Sequence, residues 1–471
     1  MENNTQKLKF TEKAAYGFGD LASVLYWQTF MMYFTFFYTD VFLIPASAAA
    51  TMFLVSRIWD GVNDPLMGVL ADRTKTRWGK FRPYLLWLCI PFAVVGVFTF
   101  TVPEFGMTGK LIWAYTTFIL IMMLYTAINI PYTALLGVIS SDSKERTSVS
   151  SIKFIFAYGA GIIVSATLLP MVKFFGGGDS IAPRGWQLSF IIYGIAAVVF
   201  FLIAFKGTKE RVQPPASQKT SVIKDLKELV TNGPWLILLA GTITFILFVA
   251  LRGSVTAHYF KYVIGEQSVK ILGGKTYSFE TLVSAFNTIG QLSSLIGVFI
   301  VSWIAKKLGK KKTFLIFFAV AIVSTGSYFF LSAEQLGLIY FFQIIGSLTG
   351  GPMSVLLWAM YADTADYAEW KNGCRATGLI FSASTMSQKF GWAFGAFVAL
   401  TLMSSVGFTP NEVQTGDSLK GLIALFSIIP AAFGVLSAII IFFYPLNDKR
   451  VEEIEGELAE RRKLEDTAAV V

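Results

Sequence analysis

The chain has 471 residues, of which 54% are hydrophobic and only 15% are charged. Soluble domains carry closer to ~25% charged residues, so the composition excludes an ordinary soluble protein. The net charge of +9 does not indicate nucleic-acid binding, because the basic residues are confined largely to particular loops. One histidine and two widely separated cysteines indicate neither a zinc site nor a disulfide.

Apolar runs of about 20 residues predict a polytopic α-helical membrane protein with twelve spans. The first six are expected at about 14–42, 46–70, 83–102, 111–139, 152–175 and 186–206. The last six are expected at about 234–262, 279–305, 313–332, 337–361, 377–405 and 420–445.

The loops that follow even-numbered spans hold most of the lysine and arginine. Five basic residues lie between Arg73 and Arg82, and five lie between Lys306 and Lys312. Because basic loops stay in the cytoplasm, both termini are expected there, which requires an even number of spans. The polar first residues do not resemble a cleavable signal peptide.

A polar, proline-containing linker divides the chain into two parts. The predicted parts are an N-terminal six-helix half at 1–206, a cytoplasmic linker at 207–233, a C-terminal six-helix half at 234–446 and a cytoplasmic tail at 447–471. The linker is expected to hold an amphipathic interfacial helix from Val222 to Val230, and the tail a solvated helix. A weak repeat, in which a glycine-containing helix end precedes a basic turn, follows spans 2 and 8. Two pseudo-equivalent six-helix halves are typical of transporters.

Three polar residues in span 2 form the strongest candidate site. Asp60, Asn63 and Asp64 have spacings i, i+3 and i+4, so they share one helix face inside an apolar run. Their oxygens suit a hard cation, and Thr126 in span 4 can add a hydroxyl oxygen. The alternatives are helix-terminating acids outside the membrane and a threonine that only packs.

Two further groups suggest a gate and a sugar site. Acids at the cytoplasmic end of span 10 can pair with bases of other inner loops, or they can belong to a solvated loop. The candidate gate residues are Arg77, Arg146, Asp363, Asp366, Glu369 and Arg375.

Charged groups within spans need a partner or a cavity, and aromatic rings beside them suit sugars. The candidate sugar-binding residues are Asp20, Tyr26, Tyr125, Asn129, Lys153, Arg252, Thr385, Lys389 and Trp392. For His258 a structural role is expected.

Several motifs together resemble the glycoside–pentoside–hexuronide:cation symporters of the major facilitator fold. The matching motifs are Asp60-x-x-Asn63-Asp64-Pro65, Arg77-Trp78-Gly79-Lys80-Phe81-Arg82-Pro83, Asn129-Ile130-Pro131-Tyr132 and Asp363-x-x-Asp366-Tyr367-x-Glu369-Trp370-x-x-Gly373-x-Arg375. They cover nearly the whole chain, and their details are most similar to the xyloside branch of the family.

The resemblance implies an all-α membrane protein of the major facilitator fold, with symport of a sugar and Na⁺, Li⁺ or H⁺. It carries the cation-site role onto Asp60, Asn63, Asp64 and Thr126. In the sugar site Tyr125, Thr385 and Lys389 match. Val24 and Asn129 stand where melibiose carriers have aspartates, Thr133 replaces a tryptophan, and Lys153 replaces an arginine. Asp20, one turn before Val24, is a candidate for the missing carboxylate.

The sequence therefore predicts cation-coupled symport of a glycoside, preferably a xyloside or short oligosaccharide, by alternating access. Na⁺ is favoured over H⁺ or Li⁺, because Asn63 offers a neutral oxygen that a proton does not need. A hexuronide or glucuronide symporter and a transporter-like sugar sensor are the alternatives. An enzyme is disfavoured because the sequence shows no metal-ligand spacing and no phosphate-binding loop. A passive channel is disfavoured because it would have no use for a buried pair of acids. We expect a monomer in the bacterial inner membrane, with no nucleic-acid partner and no cofactor besides the coupling ion.

Overall fold

The computed structural model describes residues 7–140, 142–211, 230–269, 275–372 and 377–470, which are almost entirely helical. The first helices are α1 (Phe10–Phe36, extended by a π-helical turn at Phe37–Val41), α2 (Ala46–Arg73), α3 (Arg82–Thr99), α4 (Met107–Val138), α5 (Ser143–Phe175) and α6 (Pro183–Gly207). They are followed by α7 (Gly233–His258, extended by a π-helical turn at Tyr259–Ile264), a short antiparallel hairpin of β1 (Gln267–Val269) and β2 (Lys275–Tyr277), and α8 (Phe279–Leu308). The last helices are α9 (Lys310–Ser327, with a 3₁₀ turn at Tyr328–Phe330), α10 (Leu336–Gly350), α11 (Met353–Asn372), α12 (Thr377–Ser405), α13 (Gly416–Phe426), α14 (Ile428–Phe442) and α15 (Asp448–Val470).

Nine helical segments among the described residues are long and apolar enough to cross a membrane. One of them joins α10 to α11, and another joins α13 to α14. Three other long helices, α1, α2 and α12, carry the polar residues Asp20, Asp60 and Lys389. The all-helical membrane fold is thus confirmed, and the count of twelve spans stays a prediction.

The described residues fall into two compact units that differ from the two sequence halves. Unit 1 comprises those within Met1–Ser217, Gly253–Thr288 and Ala396–Gly421. Unit 2 comprises those within Gln218–Arg252, Ile289–Gly395 and Leu422–Val471. The predicted boundaries at 206, 233 and 446 stay a prediction, and the expected interfacial helix at Val222–Val230 lies outside the described residues.

Helix α1 is the centre of unit 1, where it packs against α5 and α6. Its apolar residues surround the helix on all sides, which is the pattern of a buried helix. Tyr16, Tyr26 and Phe30 are among its fully buried side chains. Tyr26 lies so close to Gly96 of α3 that a side chain at that glycine would collide with the tyrosine ring.

Unit 2 has its own apolar core, which extends into the C-terminal helix. Phe318, Leu356, Met360 and Ile441 belong to this core. Ile454 of α15 is only 1% exposed and is buried with them. The solvated tail helix expected from the sequence is therefore wrong for one face, because regularly spaced apolar residues of α15 pack in the core of unit 2.

Candidate functional site

The three polar residues of span 2 lie within one unbroken helix, α2, as predicted. Asp60 is 3% exposed, and Asn63 and Asp64 are half-buried. The side-chain nitrogen of Asn63 is buried without a hydrogen-bond partner among the described residues. A half-turn of the amide places its oxygen at that position instead, so the group can present a ligand oxygen to a cation.

Helix α4 brings the fourth predicted ligand to the same place. It packs against α2, and Thr126 is 3% exposed at their contact. The Thr126 hydroxyl donates a hydrogen bond of 3.0 Å to Oδ1 of Asp64. The structure therefore brings an oxygen of Thr126 to the acidic face of α2, although the two residues are 62 positions apart.

Asp20 and Lys153 form a second polar group in unit 1. Lys153 Nζ lies 3.5 Å from Asp20 Oδ1, and the side chains are 22% and 12% exposed. The ammonium group also lies 5.6 Å from the centre of the Tyr132 ring. Helix α5 begins at Ser143, before the expected span at 152–175, so Lys153 lies almost three turns inside the helix.

Paired tyrosines hold α1 and α4 together beside this ion pair. The rings of Tyr16 and Tyr132 stack with their centres 4.5 Å apart. Each hydroxyl donates to the backbone carbonyl of the other residue, at 3.1 and 2.7 Å. These hydrogen bonds join α1 to α4 beside Asp20.

The aromatic residues divide between packing and accessible positions. Tyr26 is fully buried against Phe92 and Phe190, so it belongs to the core and does not line an open space. Trp27, the next residue, is half-buried and stacks on Tyr125 with ring centres 5.4 Å apart. Between Leu21 and Met31 of α1, only Val24, Trp27 and Gln28 are not buried, and these half-buried positions form one accessible stripe. Sequence reasoning missed Gln28.

Asn129, a candidate for sugar binding, lies on α4 one turn after Tyr125. Its side-chain nitrogen donates to the Tyr125 carbonyl at 2.9 Å. The amide oxygen is left for a ligand or water, since an asparagine side chain has both a donor and an acceptor.

The remaining sugar candidates belong to unit 2. Arg252 donates a hydrogen bond of 2.7 Å to Gln343 and lies about 5 Å from the ring centres of Tyr328 and Phe426. On α12, Thr385 is exposed and Lys389 and Trp392 are half-buried. It stays a prediction that these residues bind the same sugar as Asp20 and Lys153.

Three of the predicted gate residues have partners within their own units. In unit 1, Arg77 lies over the Trp78 ring and Arg146 donates to the Ser140 carbonyl. In unit 2, Lys310 binds the Asp363 carboxylate at 2.6 Å. Arg375 lies outside the described residues, and the pairing of these acids with Arg77 or Arg146 stays a prediction. Asp366 and Glu369 are half-buried on α11, so the alternative of a solvated loop is wrong.

Ion pairs on the basic-loop side of unit 1 were not predicted. Lys13 lies 2.9 Å from Glu145, and its hydrogen bond holds the pKa of the Glu145 carboxyl below its ordinary value. Glu12 forms two hydrogen bonds with Arg211, which raise the pKa of that guanidinium. Sequence spacing gives no signal for pairs that lie more than 130 positions apart.

The chain resembles known sugar transporters over almost its whole length. A family described as MFS/sugar transport protein matches residues 15–448. The isoprimeverose transporter of Lactiplantibacillus pentosus is 37% identical over 466 residues, covering 97% of this chain and 94% of that protein. The inner membrane symporter YicJ of Escherichia coli strain K12 is 35% identical over 466 residues, covering 98% and 97%.

Solved structures agree on the fold. A bacterial homologue of the human lysosomal transporter Spinster, in an inward-facing and occupied conformation, aligns with a TM-score of 0.67 at 14% identity and covers 92% of this chain and 95% of that one. The chain is a membrane transporter and not an enzyme, and it belongs to the glycoside–pentoside–hexuronide:cation symporter family of sugar symporters within the major facilitator superfamily.

Proposed function

We propose that this symporter couples the movement of a glycoside to that of Na⁺, bound by Asp60, Asn63, Asp64 and Thr126. The contact between Thr126 and Asp64 carries this proposal, because it puts a hydroxyl oxygen beside the acidic face of α2. Oxygen ligands in a buried, anionic setting suit a hard cation.

Repulsion between the two carboxylates supplies the coupling. Asp60 and Asp64 are one turn apart, and two charges about 6 Å apart repel by roughly 3 kcal/mol at an effective dielectric constant of about 20. A bound cation removes this repulsion and stabilises the arrangement that binds sugar. A proton would neutralise one carboxylate, but it would have no use for the Asn63 and Thr126 oxygens. This difference supports Na⁺.

The sugar site proposed here is the accessible stripe of α1 with its neighbours on α4 and α5. Asp20 and Lys153 can bind hydroxyl groups, while Trp27 and Tyr125 offer ring faces. A carboxylate on the sugar would compete with Asp20 for Lys153, so a neutral glycoside fits better than a hexuronide. The relative named an isoprimeverose transporter supports a small glycoside, and we favour a xyloside.

The proposed location follows from the charge of the loops, and the proposed monomer without a cofactor follows from the composition of the site. The basic loops support cytoplasmic termini in the bacterial inner membrane. The site that we propose is complete within one chain, which supports a monomer. It requires no cofactor other than the coupling ion.

The test is uptake of labelled isoprimeverose, xylose and a glucuronide into proteoliposomes that contain the purified protein. One set receives an inward Na⁺ gradient and a matched set receives an inward proton gradient. Accumulation of a neutral glycoside above equilibrium under Na⁺ alone is the expected result. Accumulation under protons alone would replace Na⁺ by H⁺, and preference for the glucuronide would overturn the substrate class.

A further inference from the structure

A buried charged cluster lies at the end of α1 remote from the basic loop that follows α2. Lys261 donates to Oδ1 of Asp40 at 2.7 Å, and Tyr262 donates to the same oxygen. Nε2 of His258 lies 3.0 Å from the other carboxylate oxygen. We call these four residues the Asp40 cluster. Asp40 and His258 have no exposed side-chain surface, and the Lys261 side chain is 15% exposed.

Neighbouring residues enclose and orient the cluster. Thr39 donates to the Asp40 carboxylate at 2.7 Å and lies 2.9 Å from Nε2 of the histidine. The rings of Phe36 and Phe408 lie against His258. Asn411 donates from its side chain to the Asp40 carbonyl at 2.8 Å, and its backbone N–H donates to the Tyr262 hydroxyl at 2.8 Å. Five groups thus point at one aspartate, far more than a surface ion pair would have.

The cluster connects the two halves of the sequence within unit 1. Asp40 lies at the end of α1, whereas its partners His258, Lys261 and Tyr262 lie at the end of α7. Further polar contacts between described residues cross between the halves in the same unit, among them Thr35 with Ser254, Tyr33 with Asn287, Ser165 with Thr288, and Lys173 with Glu280. The Asp40 cluster joins more polar groups than any of these contacts, and its carboxylate and imidazole have no exposed surface.

We propose that the Asp40 cluster is the latch of the outer gate, which must open and close again in every transport cycle. A symporter that works by alternating access has to separate its halves on the side from which sugar enters. The positive-inside rule predicts that the cluster faces that side, since the basic loops lie at the opposite helix ends. This inference rests on transport by alternating access and not on the identity of the sugar or the cation.

The chemistry of the cluster suits a contact that opens reversibly. A buried ion pair loses hydration when it forms, so its net contribution to stability is small although it is specific in geometry. When the contact opens, water solvates Asp40 and Lys261 and offsets the lost attraction. Removing one partner is different, because it leaves the other charge buried without compensation and destabilises the closed state.

The experiment measures how fast a membrane-impermeant thiol reagent reaches a buried probe from outside. The probe is Ser254→Cys in a chain with Cys89→Ala and Cys374→Ala. Ser254 is 7% exposed and lies at the contact with Thr35. Labelling is followed in right-side-out vesicles without sugar and without Na⁺, so the result does not depend on the proposed substrate or ion.

In the probe chain, Asp40→Asn and Lys261→Met should speed labelling by about tenfold, because each leaves one charge of the latch without its opposite charge. Tyr262→Phe removes one hydroxyl and should speed it by about twofold. Asp179→Asn is the matched control, since this exposed carboxylate accepts only from the nearby Ile181 N–H among the described residues. It should leave the rate unchanged.

A second probe separates opening of the gate from general loosening of the protein. Cys89 is 1% exposed within α3, and it is kept as the only cysteine, in Cys374→Ala, with the same latch variants. It should stay unlabelled while the Ser254→Cys probe reacts faster. Equal labelling of Ser254→Cys in the parent and in all folded latch variants would overturn the proposal, as would parallel labelling of Cys89. Tyr262→Phe decides the matter if the charge variants do not fold.

Discussion

At the scale of single residues, the two acids of α2 have different surroundings. Asp64 accepts a hydrogen bond from Thr126, whereas Asp60 is the more deeply buried of the two. A cation between them would be attracted by both carboxylates and would offset their negative charge. Replacing either acid by its amide keeps the shape and removes one negative charge, so such variants separate charge from packing.

We predict that Asp60→Asn and Asp64→Asn each abolish accumulation of sugar driven by the cation gradient. With only one carboxylate there is no repulsion for a cation to relieve. Binding of the cation would then no longer favour one arrangement of the transporter, and coupling would be lost. Uptake into proteoliposomes under an inward gradient measures this. Glu104→Gln, an exposed residue in the loop before α4, should accumulate sugar like the parent. Uphill transport retained in either amide variant would remove the proposed cation site.

The hydroxyl of Thr126 gives a finer test of the same site. Thr126→Val keeps the shape of the side chain but removes one ligand oxygen, and loss of about 1.4 kcal/mol of binding would raise the KM for the cation about tenfold. Thr117→Val is the control on the same helix, because the Thr117 hydroxyl donates to the carbonyl of Trp113 on α4. Initial uptake rates at varied cation concentration measure the effect. An unchanged KM in Thr126→Val would make this hydroxyl a packing group.

The sequence predicts local spacing well and distant partners poorly. Asp60, Asn63 and Asp64 share a face because helix periodicity alone decides it. Tyr26 and Trp27 could not be distinguished, since their exposure depends on how α3 and α6 pack against α1. The partnership of Asp40 with His258 was missed because the residues are 218 positions apart. A structural role was expected for His258 from the sequence. As part of the proposed latch, His258 belongs to a contact that opens and closes during transport.

At the scale of elements, the carboxylate of Glu210, just beyond the end of α6, fixes the start of α3. Glu210 accepts backbone hydrogen bonds from Lys80, Phe81 and Arg82 at 2.8–3.0 Å. The first N–H groups of a helix lack partners within it, and a negative charge there is favourable. Gly79, with a φ of 108°, lets the chain turn into this position and leaves room for the carboxylate.

We predict that Glu210→Ala lowers the thermal stability of the purified protein by a few degrees. Three backbone donors would lose a charged acceptor, a loss of about 1–3 kcal/mol when water replaces it only partly. A thermal unfolding scan in detergent measures the change. Glu104→Ala has no such role in the described structure and should leave the Tm unchanged. An unchanged Tm in Glu210→Ala would show that water replaces the carboxylate fully.

A second prediction concerns the contribution of helix α15 to the stability of unit 2. Ile454→Ala should destabilise unit 2 by about 2–4 kcal/mol, because it removes a buried side chain from a packed core. Glu455→Ala, at an exposed position one residue on, should have little effect. The free energy of unfolding of unit 2 can be followed by the fluorescence of Trp370, whose ring nitrogen donates to Glu457 of α15. Equal stability of the two variants would mean that α15 contributes nothing to the core.

Element boundaries show what apolar runs can and cannot predict. The expected spans lie close to the helices, because about 20 apolar residues are needed to cross a bilayer. Helices also extend beyond the apolar run, as α11 does to Asn372 and α5 does from Ser143, and hydropathy does not detect such extensions. Asp363 is therefore a buried helical residue bound to Lys310, and Lys153 is far inside its helix.

At the scale of the whole molecule, the sequence indicates two halves, and contacts divide the described residues differently. The ends of α7 and α12 that lie beyond Arg252 and Gly395 pack with the N-terminal half in unit 1. No periodicity or loop composition could have predicted this division, because it depends on which ends of the halves meet. Because of this division, the whole Asp40 cluster lies within unit 1.

The final prediction concerns coupling between the two ligands of the symporter. If the cation stabilises the arrangement that binds sugar, Na⁺ must raise sugar affinity by the same factor by which sugar raises Na⁺ affinity, and that factor is typically about 5- to 150-fold. Isothermal titration of each ligand with and without the other measures both factors. In Asp64→Asn the two factors should fall to one. Because the amide removes the repulsion as a bound cation does, sugar affinity should approach that of the parent with Na⁺. Sugar binding to the parent that is indifferent to Na⁺ would contradict the model of coupling, because a ligand that binds both states equally cannot shift their populations.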